Sequence, residues 1–332
     1  MTAPRIGVLV LGCGWAARIH GRVLRRLPGV ELYFASRDAE RARRYARRYG
    51  GRWAFGSYES GLDHAGVDVA LVATPTSTHR DLARLSLAAG KHVVVEKPAF
   101  LSTAELDEVS LAARGAGRRV LVAENYAYKP LTALLRGAIE QGDLGEVRFV
   151  SINATRRQPA TGWRGDPAVS GGGALFEAGV HWITFMTSLG LEPVEARGYA
   201  VGAEGGPDLS SLVVLRYANG AVGTLAHSWE LPAPLGGLRL SKVQGTRGAA
   251  TFESNGLALV TTGRRRALRV PALRDPLGYR AMHADLLGAL RRGVPARFEL
   301  ETARRDLVLL EAASRGLRAG AEREAPAPAM AR

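Results

Sequence analysis

Three residues in this chain have the types and the spacing to move a proton. Lys97 stands in Glu96-Lys97-Pro98, directly behind His92 to Glu96, a run that reads as a buried strand. A lysine at the carboxyl end of a parallel strand lies where open α/β sheets bind their ligands, and its ammonium can protonate a substrate oxygen. The other two are Glu177 and His181, in the segment Ser170-Gly-Gly-Gly-Ala-Leu-Phe-Glu177-Ala-Gly-Val-His181. Four apart at the start of a helix, they share a face, and the carboxylate can hold the imidazole in one orientation and tautomer. Taken singly, each also fits an ordinary strand-end lysine or a structural helix histidine. Their company gives them weight.

That company is the stretch Arg5 to His20, RIGVLVLGCGWAARIH. Its apolar run, Ile6 to Leu11, reads as a strand buried on both faces. Gly12, Gly14 and Ala17 then spell G-x-G-x-x-A at the turn into a helix. The first glycine permits the turn, and the second lets backbone approach a pyrophosphate. The small third residue packs helix on strand, while the helix N-terminus carries the phosphate charge. The expected cofactor loop is Gly12, Cys13, Gly14, Trp15 and Ala16, with Cys13 as a small filler. At the end of the second strand, Phe34-Ala35-Ser36-Arg37 offers no carboxylate before Asp38. An acidic residue there would hold the 2′-hydroxyl of NAD, whereas Ser36 and Arg37 suit a 2′-phosphate. NADP(H) is therefore favoured, with NAD(H) the alternative.

Around these residues, strand and helix alternate through the first 125 residues or so, which implies a doubly wound parallel sheet. From Gly145 the rhythm changes. Glu146 to Thr155, Ala196 to Gly202, Ser211 to Tyr217, Val222 to Trp229, Leu238 to Gln244 and Ala249 to Glu253 read as strands. Turn signals at Asn219-Gly220 and Asn255-Gly256 argue for a large, open, mostly antiparallel sheet. One helix, Gly173 to Leu189, interrupts it, and two more, Gly278 to Arg292 and Thr302 to Ala319, close the chain. The expected division is 1–124 as a dinucleotide-binding domain, 125–323 as an α+β substrate and oligomerisation domain, and 324–332 as a frayed tail. The last helix is expected to be able to pack back on the first domain. Val213, Leu215 and Tyr217 alternate with Val214 and Arg216, so the sheet has two faces and the helices can cover one. The other is expected to join a second copy, giving a homodimer or homotetramer.

Composition excludes several alternatives. The 332 residues are 46% hydrophobic and 23% charged, ordinary for a soluble globular chain long enough for two cores. No apolar run reaches the roughly 20 residues of a membrane span, and Met1 to Pro4 leads straight into the first strand, so a cytoplasmic location is expected. The single cysteine rules out an internal disulfide. The net charge of +14 invites a nucleic-acid reading, but only Lys91, Lys97, Lys129 and Lys242 among the 45 basic residues are lysines. The arginines scatter along helices, as at Arg41, Arg43, Arg44, Arg47 and Arg48, and form no recognition helix. No ligand cluster has metal spacing, so no metal is expected.

Taken together, these motifs resemble the glucose-fructose oxidoreductase / inositol dehydrogenase / MocA (Gfo/Idh/MocA) family over nearly the whole chain. The resemblance rests on the loop from Gly12 to His20, Thr74-Pro75-Thr-Ser-Thr-His79, Glu96-Lys97-Pro98, Trp163-Arg164 ahead of Gly171-Gly172-Gly173, and His181. It continues to the arginine-rich closing helix at Thr302 to Arg318. It implies a Rossmann domain followed by an α/β domain whose open sheet faces a neighbouring subunit, and oxidation or reduction of sugars and cyclitols with NAD or NADP. Carried over by residue, Lys97 is the catalytic lysine and His181 the proton-relay histidine. Glu177 falls where the family has aspartate, and Thr184 where a second aspartate is frequent. Thr74, Pro75, His79, Glu96 and Lys97 join the cofactor set, with His20 beside them. Tyr126, Tyr128 and Trp163 can stack on a sugar ring or the nicotinamide, and Arg164 can bind an anionic or hydroxylated substituent. The expected activity is NADP(H)-dependent hydride transfer at a carbon–oxygen centre of a sugar, cyclitol or keto-sugar. The alternatives are reduction of a C=N or C=C bond, a non-sugar alcohol dehydrogenase, and a non-catalytic NADP-sensing regulator.

Overall fold

The computed structural model describes residues 5–159, 161–162, 166–202, 208–233, 237–271 and 275–323. The first part of the chain runs β1 (Ile6–Leu11), α1 (Trp15–Leu24), β2 (Val30–Ala35), α2 (Ala39–Tyr49), β3 (Trp53–Phe55) and α3 (Tyr58–Leu62). It continues through β4 (Val69–Val72), α4 (His79–Ala88), β5 (His92–Glu96), α5 (Thr103–Gly115) and β6 (Val120–Ala123). The six strands form one sheet in the order β3-β2-β1-β4-β5-β6, every neighbouring pair parallel. β1 and β4 are buried on both faces, as continuous apolar runs require when helices cover both sides. The order reverses at β1, so the glycine loop sits at the switch point where such sheets bind ligands.

Next come α6 (Pro130–Glu140), β7 (Val147–Thr155), the short α7 (Pro167–Ser170), a π-helical turn at Leu175–Gly179 and α8 (Val180–Thr187). β8 (Pro193–Ala200), β9 (Ser210–Tyr217), β10 (Val222–Ser228), β11 (Leu240–Gly245), β12 (Ala249–Glu253), β13 (Leu259–Thr262) and β14 (Ala267–Arg269) follow. Strands β7 to β14 make an eight-stranded sheet, ordered β14-β13-β12-β11-β7-β10-β9-β8. Only β7 and β10 pair in parallel; the other pairs are antiparallel. Strands β3, β13 and β14, with helix α3, were not foreseen: they are three to five residues long, too short for their periodicity to register.

The two faces of this sheet differ as the alternation in β9 predicts. Val213, Leu215 and Tyr217 are buried, while Val214 is half-buried and Arg216 exposed. On the buried side a Cβ at Gly223 would meet Met186 Cε at 2.6 Å, so α8 lies close against β10. The opposite side carries Phe149, Leu212, Leu240, Val260 and Leu268 at 36–72% exposure.

The chain closes with α9 (Tyr279–Arg292) and α10 (Leu300–Arg323). By contacts it divides into two units, 1–128 with 277–305, and 129–276 with 306–332. Residues 277–305, which include α9, thus group with the parallel sheet. The expected tail, 324–332, lies outside the described residues. Among those described, no helix is long and apolar enough to cross a membrane.

Candidate active site

In the first unit the glycine loop is shaped by two opposite constraints. Gly12 has φ +96°, and a Cβ there would meet Thr74 Cγ2 at 2.8 Å and the Ala73 carbonyl oxygen at 2.9 Å. Nothing lies within 4 Å of a Cβ built on Gly14. Gly14 caps α1 with no side-chain hydrogen bond, and the first turn carries no acidic residue. The uncapped N–H groups at that end are therefore open to an anion, and the bare backbone at Gly14 allows it close. Ala17 is fully buried, the small contact that lets α1 lie on the sheet. Trp15 is 62% exposed beside this loop, and Ala16 is half-buried. Tyr45 Oη donates to the Gly14 carbonyl at 3.0 Å, tying α2 to the loop. Cys13 is buried and its thiol is pushed up to about 12, chiefly by burial, so it stays a thiol. The loop fits a dinucleotide pyrophosphate.

At the end of β2, Ser36 is buried and its Oγ accepts the Asp38 N–H at 3.2 Å. Asp38 caps α2, its carboxylate accepting the Arg41 N–H at 2.9 Å. The first acid after β2 is thus committed to the helix, while Arg37 is exposed. Below the loop, Thr74 and Thr78 share a 2.6 Å hydroxyl contact after the half-buried Thr74-Pro75 corner. His79 is 1% exposed. Its Nε2 lies 2.9 Å from the Thr74 carbonyl, and its Nδ1 lies 3.1 Å from the carbonyls of Pro98 and Ala99. Burial lowers its pKa against the pull of those carbonyls and of Glu96. His79 was expected to touch the cofactor; the structure makes it an internal staple between the 74–79 turn and the segment after Lys97.

Lys97 follows β5 and is half-buried. The buried Glu96 beside it accepts the Lys97 backbone N–H at 2.9 Å and lies 2.5 Å from His20 Nε2. Of the two tyrosines expected to stack on substrate, Tyr126 is half-buried. Tyr128 is 3% exposed, its hydroxyl donating to Asp285 at 2.8 Å and accepting the Phe298 N–H at 3.2 Å. Burial and Asp285 push its phenol up. This corrects the expectation for Tyr128: with both sides of its hydroxyl satisfied in the interior, it is a packing residue.

In the second unit, Gly171 and Gly172 have φ of +90° and +157°, and a Cβ at Gly173 would meet Asp208 Cβ at 2.3 Å and the Asp208 carbonyl oxygen at 2.4 Å. The Asp208 carbonyl accepts the Ala174 N–H at 2.7 Å. Burial pushes the Asp208 carboxyl up to about 6, against a hydrogen bond from the Leu175 backbone. Gly173 is thus needed for packing against Asp208, while a Cβ at Gly172 would meet Phe176 Cβ at 3.0 Å. The turn it admits is π-helical, Leu175 to Gly179, and contains Glu177, which is buried. His181 is half-buried on α8. The α-helical spacing assumed for Glu177 and His181 is therefore corrected: a π turn, its hydrogen-bonded ring one residue wider, separates them. Thr184 donates to the buried Asp306 at 2.8 Å, and Thr187 does so at 2.9 Å. A carboxylate from α10 thus stands against the position where the family frequently carries its own.

Sequence reasoning missed a group beside this helix. His227 on β10 is 3% exposed, and its pKa falls to about 4, chiefly through burial, with Glu177, Arg239, Arg156 and His181 as its electrostatic neighbours. Its Nδ1 has no hydrogen-bond partner among the described residues. Lys129 and Arg239, both buried, stand over the Trp182 ring at 5.6 Å each. Period-two alternation in β10 marks His227 as inward-facing, the one signal that could have found it. Trp163 and Arg164 lie outside the described residues.

Residues 6–124 match the model of an oxidoreductase family with an NAD-binding Rossmann fold, and residues 132–251 match the GFO/IDH/MocA C-terminal domain. The chain belongs to the GFO/IDH/MocA oxidoreductase family. It is 31% identical to trans-1,2-dihydrobenzene-1,2-diol dehydrogenase of Bos taurus over 69% of this chain and 68% of that one. Among solved structures it superposes on aldose-aldose oxidoreductase from Caulobacter crescentus, crystallised with glycerol, with a TM-score of 0.85. That match has 23% identity and covers 95% of this chain and 98% of the other. It also superposes on GenD2 of gentamicin A biosynthesis, in complex with NAD, with a TM-score of 0.83 and 27% identity over 96% of both chains. The protein is an oxidoreductase of this family, built on an NAD(P)-binding Rossmann fold.

Proposed function

We propose that this member transfers a hydride, reversibly, between NADP(H) and a carbon bearing oxygen in a sugar, cyclitol or cyclic vicinal diol. The observation that carries the reading is Lys97 at the end of β5 in a unit whose glycine loop leaves α1 uncapped over an open Gly14. The bovine relative is named for a cyclic diol and the Caulobacter structure for aldoses. Both substrate names share a secondary or hemiacetal hydroxyl on a ring, which supports that class.

The bound nicotinamide supplies the hydride acceptor or donor. The chain supplies the rest. Gly12 to Ala16 and the N-terminus of α1 hold the pyrophosphate. Arg37 and the Ser36 hydroxyl hold the ribose 2′-phosphate, a role supported by the absorption of Asp38 into the α2 cap. Lys97 Nζ takes the proton from the substrate hydroxyl in oxidation and returns it in reduction. His181 acts as a proton-relay histidine, with Glu177 setting its orientation. Tyr126 borders the substrate ring. The exposed apolar face of the eight-stranded sheet joins a second copy; light scattering that finds only monomer at micromolar concentration would refute that assembly.

The test pairs fluorescence titration of NADPH and NADH with turnover on a panel of sugars, cyclitols, cyclic diols and their keto forms. Tighter NADPH binding and turnover of one ring alcohol are expected. Equal or tighter NADH binding would overturn the cofactor choice. Turnover confined to imines or activated alkenes would overturn the substrate class.

A further inference from the structure

The first unit contains a buried chain of side chains that hydride transfer as described does not use. His283 Nε2, on α9, lies 2.7 Å from His20 Nδ1 on α1. His20 Nε2 lies 2.5 Å from Glu96 Oε1 at the end of β5, and Glu96 Oε2 accepts the Lys97 N–H at 2.9 Å. His20, His283 and Glu96 are 0%, 2% and 7% exposed. The partners are 263 and 76 residues apart in sequence, so no local pattern brings them together.

With His20 neutral, hydrogen-bond chemistry gives the chain one direction. A carboxylate oxygen only accepts, so His20 Nε2 carries the hydrogen toward Glu96. His20 Nδ1 then offers a lone pair, which is met by the N–H of His283 Nε2. Burial, and then the facing His20, lower the pKa of His283 well below its usual value, in keeping with a neutral ring holding one proton. Every donor points toward Glu96. A carboxylate this buried is costly unless donors surround it, and a chain of aligned donors strengthens each link. The ring of Tyr279 packs edge-on against His20 at 5.8 Å. Burial, then Glu96, Glu124 and Tyr126, raise the pKa of its hydroxyl, so it stays protonated. His79, whose pKa is lowered by burial, also feels Glu96.

We propose that His283 and His20 are positioning residues for Lys97, holding Glu96 as an oriented carboxylate that clamps the Lys97 peptide and so aims its side chain. This rests on the acid–base role of Lys97 given above. A chain that only fastened α9 to α1 would stabilise the fold without reaching Lys97, and the experiment separates the two.

The chain has four lysines, so reductive ¹³C-methylation, which keeps their charge, gives a spectrum simple enough to assign Lys97 by its loss in Lys97→Met. His283→Leu removes the donor, and His283→Gln keeps an N–H. In His283→Leu the Lys97 methyl signal is expected to move or broaden while that of Lys242 stays. On a substrate found in the panel, kcat should fall about ten- to a hundred-fold at unchanged NADPH affinity. His283→Gln should restore much of both. An unmoved Lys97 signal in His283→Leu, or equal losses in Leu and Gln variants that follow only their melting temperatures, overturns the clamp. Should His283→Leu not fold, two-bond ¹H–¹⁵N spectra of the unaltered protein decide: a His283 ring protonated at Nδ1 alone contradicts the chain. Normal turnover by Lys97→Met sinks the acid–base role instead, and the methyl spectrum still judges the clamp.

Discussion

Two glycine-rich turns each precede a helix in this chain, and they are glycine for opposite reasons. At Gly14 nothing stands within 4 Å of a built Cβ, whereas at Gly173 such an atom would sit 2.3 Å from Asp208. The first turn leaves space for a ligand; the second leaves space for the protein itself. The same contrast runs through the histidines of the two units. His20 and His283 have partners on an unbroken chain, while His227 keeps a buried nitrogen without one among the described residues. A glycine cluster in a sequence is therefore not evidence of a phosphate site until the surroundings of each missing Cβ are known.

Lys97→Met should have the largest effect, lowering turnover about 10²–10⁴-fold with NADPH affinity kept. His181→Ala should behave likewise, as the proposed relay role of His181 requires, again with NADPH affinity kept. Normal steady-state turnover by His181→Ala would remove His181 from the chemical step.

Acid should expose the buried His227 next. Its pKa in the fold is about 4, against 6.5 for an ordinary histidine. Above pH 6.5 both states are neutral there and stability is unaffected. As pH falls toward 4 the unfolded chain takes up a proton that the fold refuses, so stability drops, by about 3 kcal/mol at the limit. Urea midpoints measured from pH 7 to 4 should show this slope, and His227→Asn should flatten it. An equal slope in the variant would place the acid sensitivity elsewhere.

Arg37→Ala should weaken NADPH by about 1.5–3 kcal/mol, the worth of a charge-assisted hydrogen bond, and leave NADH binding unchanged. Titration of both cofactors checks it; equal weakening of both would mean a general electrostatic role.

The glycines themselves give the smallest effects and the most direct trial of the contrast. Gly173→Ala should cost about 1–3 kcal/mol of stability, because the Cβ and the backbone carbonyl of Asp208 both block the new methyl. Gly14→Ala should cost no more than about 0.5 kcal/mol of stability, within the ordinary surface range, and should weaken the cofactor. If both variants lost stability alike, the two turns would not differ in kind.

What the sequence determined by itself is whatever contiguous backbone demands. The apolar run of β1 and the glycines behind it place the loop, and repeated βαβ lengths imply the parallel sheet. Two-residue alternation from Ser211 to Tyr217 separates the buried face from the exposed one. Each signal lies within a dozen residues, where periodicity and turn chemistry act. Tertiary structure alone decided the meetings of side chains. Glu177 was legible as a carboxylate near His181, but the π turn that carries it gave no sign in the sequence. Thr184 read as a lost acid until Asp306 arrived from α10. Tyr128 looked like a stacking ring, yet its hydroxyl is held by Asp285. His283 gave no local sign of reaching Glu96 through His20. A backbone requirement is written where it acts, whereas a buried hydrogen bond needs two groups that the sequence stores far apart and only packing brings within 3 Å.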